Sequence, residues 1–190
     1  MKYLDRVLQR WRIAQARPYI ENGSRVLDIG CADGSLFQQL GSRINEGIGV
    51  DPDLHENTAV GNVQLVKGFF PDAIRDARHF DVITMLAVLE HVPASACSKL
   101  AADCAAYLRP GGYLVITVPS PLVDHILNML SALRLIDGMS LEQHHGFDVT
   151  QTPGIFIPAQ FRLVRHSRFQ LGLNNLFVFQ HQPAKECQTG

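Results

Sequence analysis

Short runs of apolar residues alternate with helical patterns through the first 118 positions of the 190-residue chain. The apolar runs lie at 25–29, 47–50, 63–66, 80–85 and 113–118, and the main helical patterns lie at 34–40 and 94–108. A short continuous apolar run is typical of a strand buried on both faces, and strands that alternate with helices are typical of a parallel sheet. The alternation therefore predicts an α/β fold with helices on both faces of the sheet.

Turn and cap residues mark the ends of several predicted elements. The R-P-G-G run at 109–112 is expected to stop the helix before it and to form a turn. Thr152 and Pro153 predict an N-cap and the first residue of a short helix. Two later segments, at 162–169 and 175–180, are separated by Gly172 and Asn174 and predict strands joined as a hairpin.

The N-terminal segment has the pattern of an amphipathic helix. Leu4, Val7, Leu8 and Trp11 recur at i, i+3, i+4 and i+7, and Pro18 is expected to stop the helix. The segment also carries the cations Lys2, Arg6, Arg10, Arg12 and Arg17. These cations are compatible with a contact to phosphate or RNA, but we interpret them as a solvated helix face, which is the more common use.

The composition excludes several classes of protein. Hydrophobic residues make up 46% and charged residues 18% of the chain, which is typical of a single globular domain. The net charge of -1 disfavours a general nucleic-acid binder. The sequence has neither a run of about 18 apolar residues nor a secretory leader, so we expect a cytoplasmic protein without a membrane span. The four cysteines form no C-x-x-C pair, so neither a disulfide framework nor a zinc site is expected.

A glycine turn follows the first predicted strand directly. Gly30 allows a tight turn, and the small residues Ala32 and Gly34 allow a ligand to approach main-chain N–H groups. Asp51 stands about twenty residues further on, at the end of the second strand, where a carboxylate can bind both hydroxyls of a ribose. The pair predicts a nucleotide-binding βαβ unit.

The turn differs from the dinucleotide pattern G-x-G-x-x-G. Position 32 is Ala and position 35 is Ser, so two of the three glycines are absent. Asp28 precedes the turn, where its carboxylate would repel a diphosphate but could meet a cationic amino group. The turn therefore favours a nucleoside without phosphates, and an NAD-dependent dehydrogenase is the less favoured alternative.

Four segments of the chain resemble the class I S-adenosylmethionine-dependent methyltransferases. They are V-L-D-I-G-C-A-D-G-S-L at 26–36, I-G-V-D at 48–51, F-D-V-I-T-M-L-A-V-L-E-H-V-P at 80–93 and L-R-P-G-G-Y-L-V-I-T-V-P at 108–119. The resemblance implies a Rossmann-like, seven-stranded, mostly parallel sheet whose last strand inserts antiparallel as part of a C-terminal hairpin. It also implies methyl transfer from S-adenosylmethionine to a small-molecule acceptor, with S-adenosylhomocysteine as product, by a monomer or homodimer.

The resemblance implies a cofactor site made of Asp28, Gly30, Cys31, Ala32, Asp33, Gly34, Asp51, Pro52, Gly68, Phe69, Phe70 and Leu86. The methionine part would lie against Asp28 and the turn, and Asp51 would hold the ribose. The family often has an acid after Gly68, but this chain has Phe69 there. Adenine recognition would then depend on aromatic packing and backbone groups, or on Asp72.

Residues 86–91, L-A-V-L-E-H, resemble the corresponding stretch of ubiquinone-type O-methyltransferases. Some relatives use a carboxylate at the place of Ala87 to bind a metal ion, so no metal is predicted here. The Asn/Asp-Pro-Pro-aromatic signature of enzymes that methylate base amino groups is missing, so a nucleic-acid substrate is disfavoured. An oxygen acceptor is the favoured alternative over nitrogen or carbon.

An oxygen nucleophile benefits from a general base, and histidine is suited to that role near neutral pH. His91 and His145 are the candidate catalytic bases, and His144 and His145 are candidate substrate contacts. We divide the chain into a leading helix at 1–18, a cofactor core at 25–119, a substrate cover at 120–152 and a helix with a hairpin at 153–181. The alternative function is a catalytically inactive nucleotide-binding protein on the same fold.

Overall fold

The computed structural model describes residues 2–74, 79–120 and 147–182. The helices are α1 Lys2–Ala16, α2 Ser35–Leu40, α3 Ala94–Tyr107 and α4 Thr152–Phe156. The strands are β1 Ser24–Ile29, β2 Ile44–Asp51, β3 Thr58–Val60, β4 Val63–Lys67, β5 Phe80–Leu86, β6 Leu108–Pro119, β7 Phe161–Phe169 and β8 Asn174–His181. None of the helices in these ranges is long and apolar enough to cross a membrane.

The strands form one sheet in the order β3-β4-β2-β1-β5-β6-β8-β7. The five strands from β4 to β6 in this order are mutually parallel. Strand β8 lies antiparallel between β6 and β7, and β3 pairs antiparallel with β4. The predicted Rossmann-like sheet with an antiparallel C-terminal hairpin is therefore confirmed.

The seven predicted strands are all present, and β3 adds an eighth. Its three residues are all exposed, so they show no apolar run that could reveal a strand in the sequence. Gly61, with φ +61°, turns the chain back so that β3 can pair with β4. Backbone pairing after this turn, rather than burial, makes these residues a strand.

Helices cover both faces of the sheet, as predicted. On the first face, which we call the α1 face, Val26 and Val82 pack with α1, α2 and the segment that ends in Ile20. On the other face, the α3 face, Leu27 and Ile83 pack with α3 and α4. Successive residues of a strand point to opposite faces, so both must be apolar.

The predicted apolar stripe of α1 is wrong in part. Val7 and Trp11 are exposed, with 38% and 44% of their surface accessible. The helix packs on the sheet through Ile13 and Ala16 instead, together with Ile20 beyond its end. The sheet thus covers the C-terminal half of the helix, and the periodic pattern alone does not show where along the helix the contact lies.

Two predicted boundaries also differ. The R-P-G-G residues at 109–112 lie inside β6, because α3 runs at Tyr107 directly into the strand, and the pairing with β5 shifts register there. Thr152 is the first residue of α4 rather than its cap. The preceding turn, Val149–Gln151, is capped by Asp148, whose side chain accepts a hydrogen bond from the Thr150 amide.

Candidate functional site

The carboxyl ends of β1, β2 and β5 meet at one edge of the sheet, where open α/β folds bind ligands. A cavity of about 580 Å³ opens there. It is lined by Arg6, Gln9, Arg12, Ile13, Asp28, Gly30, Cys31, Ala32, Leu36, Asp51, Pro52, Asp53, Leu86, Ala87, Val88 and His91. An adjoining, more apolar cavity of about 360 Å³ shares Gly30, Pro52, Val88 and His91 with it.

The glycine turn has a left-handed backbone at Gly30 and Gly34, with φ values of +75° and +72°, which suits glycine. Ala32 is also left-handed, with a φ of +46°, although its residue type does not predict this. The amides of Gly30 and Cys31 donate to the carbonyl oxygen of Val50, at 2.8 and 3.3 Å, and the amide of Gly34 donates to that of Cys31 at 2.9 Å. These N–H groups are already used within the protein, so the turn offers a ligand mainly space.

Asp51 is 8% exposed, and two backbone amides donate hydrogen bonds to its carboxylate. Its Oδ2 accepts the amide hydrogen of Ala32 at 2.8 Å, and its Oδ1 accepts that of Asp53 at 2.9 Å. Each carboxylate oxygen can accept a further hydrogen bond. The two oxygens are therefore fixed at the cavity wall in a geometry that suits two neighbouring hydroxyl groups.

Asp28 is a buried carboxyl group in the same cavity. Burial raises its pKa to about 7, although the Thr84 hydroxyl donates to its Oδ1 at 2.6 Å and lowers the pKa, and the negative charge of Asp51 raises it further. Bringing a cation close would favour the ionised form. The Asp28 carboxylate is therefore expected to favour the binding of a positively charged group in this cavity.

Sequence reasoning did not find the contribution of α1 to this cavity. Arg6, Gln9, Arg12 and Ile13 all line it, whereas the arginines were interpreted as a solvated face. The spacing of positions 6, 9 and 13 places them on one helix face, and this signal could have revealed the contact. The helix brings two arginines to a cavity that is also lined by three aspartates, Asp28, Asp51 and Asp53.

The adjoining cavity contains Gly68, Phe69 and Phe70, as the sequence predicts for the adenine end. Phe70 packs edge to face on Tyr107, with 5.1 Å between ring centroids. Phe69 is 71% exposed and so forms a rim.

The acidic residue among those that line this cavity is Asp103 of α3, next to Lys99, and the two side chains form an ion pair at 2.7 Å. Asp72 is not among the lining residues, but its charge acts on Lys99. A helix that follows β5 in the chain thus supplies the polar edge of this cavity.

The remaining predicted residues are placed as follows. Leu86 and Ala87 line the first cavity at the end of β5, and Ala87 has a left-handed φ of +62°. His91 lies where the two cavities join. Asp33 and Gly34 line a different cleft, and the Asp33 carboxylate accepts the Ser35 amide at the start of α2.

His144 and His145 lie outside the described residues. Their roles as substrate contact and base therefore stay predictions from the sequence.

The fold and the cavity define a Rossmann-like α/β protein whose main cavity lies at the carboxyl ends of the central strands, where such folds bind ligands. The family described as a methyltransferase domain matches residues 2–169. The ubiquinone biosynthesis O-methyltransferase of Burkholderia thailandensis is 31% identical over 121 residues, which is 58% of this chain and 51% of that protein. The chain thus spans about half the length of the curated relatives it matches.

Solved structures show the same fold. The N-methyltransferase NodS from Bradyrhizobium japonicum has a TM-score of 0.67 at 16% identity, covering 94% of this chain and 98% of NodS. NodS has also been solved with S-adenosylhomocysteine. The cyclopropane synthase MmaA2 from Mycobacterium tuberculosis has a TM-score of 0.69 at 13% identity, covering 90% and 84%.

The chain belongs to the methyltransferase-domain family, among the class I S-adenosylmethionine-dependent methyltransferases. The cofactor of this class is S-adenosylmethionine.

Proposed function

We propose that the protein transfers a methyl group from S-adenosylmethionine to an oxygen atom of a small-molecule acceptor. The observation that carries the proposal is the pair of buried carboxylates, Asp28 and Asp51, in one cavity at the ends of β1 and β2. This pair suits a cationic amino acid joined to a ribose and would repel a diphosphate. The oxygen acceptor is supported by the curated relatives, which are named O-methyltransferases.

The two cavities accommodate the parts of the cofactor separately. Asp28 faces the ammonium and sulfonium charges, and Asp51 accepts hydrogen bonds from the ribose hydroxyls. The arginines of α1, Arg6 and Arg12, provide positive charge for the carboxylate of the methionine part. Adenine occupies the apolar cavity between Phe70 and α3.

Methyl transfer is an in-line displacement in which the acceptor oxygen forms a bond to the methyl carbon while the carbon–sulfur bond breaks. The electron pair of that bond neutralises the sulfonium, so S-adenosylhomocysteine leaves as a neutral thioether. Holding the two reactants in line is the main contribution of the protein, and such positioning is worth roughly 7 to 11 kcal/mol. The proton of the acceptor hydroxyl must go to a base.

Two histidines are proposed as the general base that accepts this proton. His91 lies at the junction of the two cavities, close to where the methionine part meets the adenosine. His145 belongs to the 120–152 segment, which we propose covers the acceptor, with His144 as a further acceptor contact. A general base contributes typically 10²- to 10⁴-fold to the rate.

Asp51→Asn is expected to weaken S-adenosylmethionine and S-adenosylhomocysteine binding together, by roughly tenfold to a hundredfold. Both ligands share the ribose, and the amide can accept with one oxygen only, whereas the carboxylate also holds the Ala32 and Asp53 amides. Isothermal titration calorimetry with both ligands measures the effect. Glu56→Gln is the matched control, since its side chain is exposed and lines neither cavity, and unchanged affinity in Asp51→Asn would contradict the ribose assignment.

The methyl transfer itself is tested with methyl-labelled S-adenosylmethionine and a panel of hydroxylated acceptors or cell extract, using mass spectrometry to find the labelled product. His145→Ala is expected to lower turnover by roughly 10²-fold while cofactor affinity stays constant. His144→Ala and His91→Ala are compared with it. If no acceptor becomes labelled although the cofactor binds, the protein is the inactive nucleotide-binding alternative.

A further inference from the structure

The outer face of α1 carries apolar side chains that the sheet does not cover. Positions 7 and 11 lie on the face of the helix opposite Ile13 and Ala16, which pack against the sheet. Val7 and Trp11 are exposed, and neither side chain belongs to the apolar clusters that the described residues form on the sheet. The core of the protein therefore does not account for these two residues.

The tip of the C-terminal hairpin lies beside this face of α1. The side-chain amide of Gln170 donates to the carbonyl oxygen of Leu8 at 3.1 Å, and Gln170 is buried, so this bond holds the tip against the helix. The next residue, Leu171, is 98% exposed. Leu8 directly follows Val7, so Leu171 adjoins the outer face of α1. We call Val7, Trp11 and Leu171 the apolar patch.

The turn at the hairpin tip does not require a leucine. The Gly172 amide donates to the Phe169 carbonyl oxygen at 3.1 Å, and the two residues between them, Gln170 and Leu171, have φ values of +52° and +57°. A turn with two left-handed central residues favours glycine, asparagine and aspartate. Leu171 is thus strained as well as exposed, which indicates that its side chain makes a contact beyond the fold.

Cations follow one side of the apolar patch. Residues 6–17 contain four arginines and no acidic residue. Arg6, Arg10 and Arg17 recur at i, i+4 and i+11, which places them along one flank of the outer face, and all three are exposed. We call these three residues the arginine row. The outer surface of the helix is therefore apolar in its middle and cationic along one edge.

We propose that the apolar patch and the arginine row dock the protein on the surface of an anionic lipid bilayer. An exposed apolar face next to cations is typical of helices that lie in the plane of a membrane surface, and tryptophan is enriched at the level of the headgroups. Lipid phosphates pair with the arginine row, while Trp11 and Leu171 enter the headgroup region. The proposal does not depend on the methyl acceptor.

The charge and the apolar patch together favour a bilayer over other occupants. A second copy of the chain packed antiparallel on this face would bring two arginine rows to the same side of the contact, where they repel each other. A nucleic acid would pair with the arginines but would leave Leu171 exposed to water.

Trp11 fluorescence reports the docking directly, because the chain has no other tryptophan. We expect a blue shift of the emission when vesicles of phosphatidylcholine and phosphatidylglycerol in equal parts are added, and quenching when the lipid chains carry bromine. Vesicles of phosphatidylcholine alone should bind at least tenfold more weakly, and added salt should weaken binding to the anionic vesicles.

Leu171→Asn is expected to weaken binding to the anionic vesicles roughly tenfold, as measured by cosedimentation, because it removes an apolar side chain from the contact. Its thermal stability should equal or exceed that of the wild type, because asparagine tolerates a left-handed φ better than leucine. Val60→Asn is the matched control, since Val60 is 78% exposed but lies on β3, at the opposite edge of the sheet.

The arginine row is tested through Arg10 and Arg17, because Arg6 also lines the cofactor cavity. Arg10→Gln and Arg17→Gln should each lower the affinity for anionic vesicles about fivefold. Arg162→Gln should not, because Arg162 is exposed at the end of the hairpin away from its tip, where it pairs with Gln180.

The proposal is overturned if the anionic vesicles leave the Trp11 emission unchanged, including the case in which the free protein already shows the emission of a covered tryptophan. It is also overturned if Leu171→Asn and Val60→Asn bind vesicles alike. A shift of the emission on dilution without lipid would assign the apolar patch to a second copy of the chain, and an equal blue shift with heparin would assign the surface to a polyanion; each contradicts docking on a bilayer.

Discussion

Asp28→Asn is expected to make the ligand-free protein more stable and, at the same time, a poorer binder of its cofactor. The Asp28 carboxyl is buried, and its pKa of about 7 against 3.8 in the unfolded chain means that burial opposes its charge. This difference corresponds to roughly 4 kcal/mol at most in the free energy of unfolding. Asparagine has the same shape as aspartate and stays neutral at every pH, and its side-chain oxygen can still accept the hydrogen bond from the Thr84 hydroxyl.

The gain in stability has a definite pH dependence. At low pH, aspartic acid is neutral in both states, so the two proteins differ little. As the pH rises from about 4 to 7, the unfolded chain releases the Asp28 proton while the folded protein keeps it, so the wild type loses stability. We expect the advantage of Asp28→Asn to grow through this window and to be constant above it.

The loss of affinity comes from the same charge. S-adenosylmethionine carries an ammonium and a sulfonium group, so removal of the facing carboxylate is expected to weaken its binding roughly tenfold to a hundredfold at pH 8. Wild-type affinity should fall below pH 7, because Asp28 must then release a proton on binding.

Thermal unfolding and calorimetry between pH 5 and pH 8.5 measure both effects, and Asp33→Asn in the same turn is the control. Burial raises the Asp33 pKa, but hydrogen bonds from Ser35 and Gln9 outweigh this and lower it. Asp33→Asn should therefore destabilise the protein. If Asp28→Asn were also less stable than the wild type at pH 8, the assignment of Asp28 as a destabilising, cation-seeking group would fail.

Gly30→Val is expected to abolish measurable cofactor binding and to leave a folded but less stable protein. A Cβ at this position would lie 2.4 Å from Cγ2 of Val88, which lines both cavities. The φ of +75° adds backbone strain for any residue with a side chain. Such overpacking and strain each cost roughly 1 to 3 kcal/mol, and the displaced Val88 narrows the passage between the cavities.

Gly23→Val separates the effect of backbone strain from that of the clash with Val88. Gly23 has a similar φ of +81°, but a Cβ there meets nothing within 4 Å. Both variants should lose stability through backbone strain, and only Gly30→Val should lose affinity for S-adenosylhomocysteine, as measured by calorimetry. Affinity within a few fold of the wild type in a folded Gly30→Val protein would contradict the proposed path of the cofactor along the turn.

The five parallel strands and the hairpin could be predicted because each depends on local pattern. A strand covered on both faces must be apolar at odd and even positions alike, and such runs are visible in the sequence. The turn at Gly30 and the carboxylate at Asp51 were also predictable, since the βαβ topology brings the ends of β1 and β2 together.

Other parts of the site depend on contacts between distant positions. The approach of Arg6 and Arg12 to the cavity depends on where α1 packs against the sheet, which the helix periodicity does not specify. The pKa of Asp28 depends on the depth of its burial and on Thr84, which is 56 positions away in the chain. The position of Lys99 and Asp103 in the adjoining cavity likewise depends on where α3 packs.

The sequence by itself determined the order of strands and helices, the hairpin, and the glycine turn and Asp51 on which the proposed nucleoside site rests. Only the tertiary structure decided which atoms those residues contact, as when Ala32 donates to Asp51, and only it brought Ser120, Asn175 and His166 into one chain of hydrogen bonds. The physical reason is that burial patterns are repeated locally along the chain. Register between strands and the depth of a buried charge arise from pairings across many intervening residues, for which no local pattern exists.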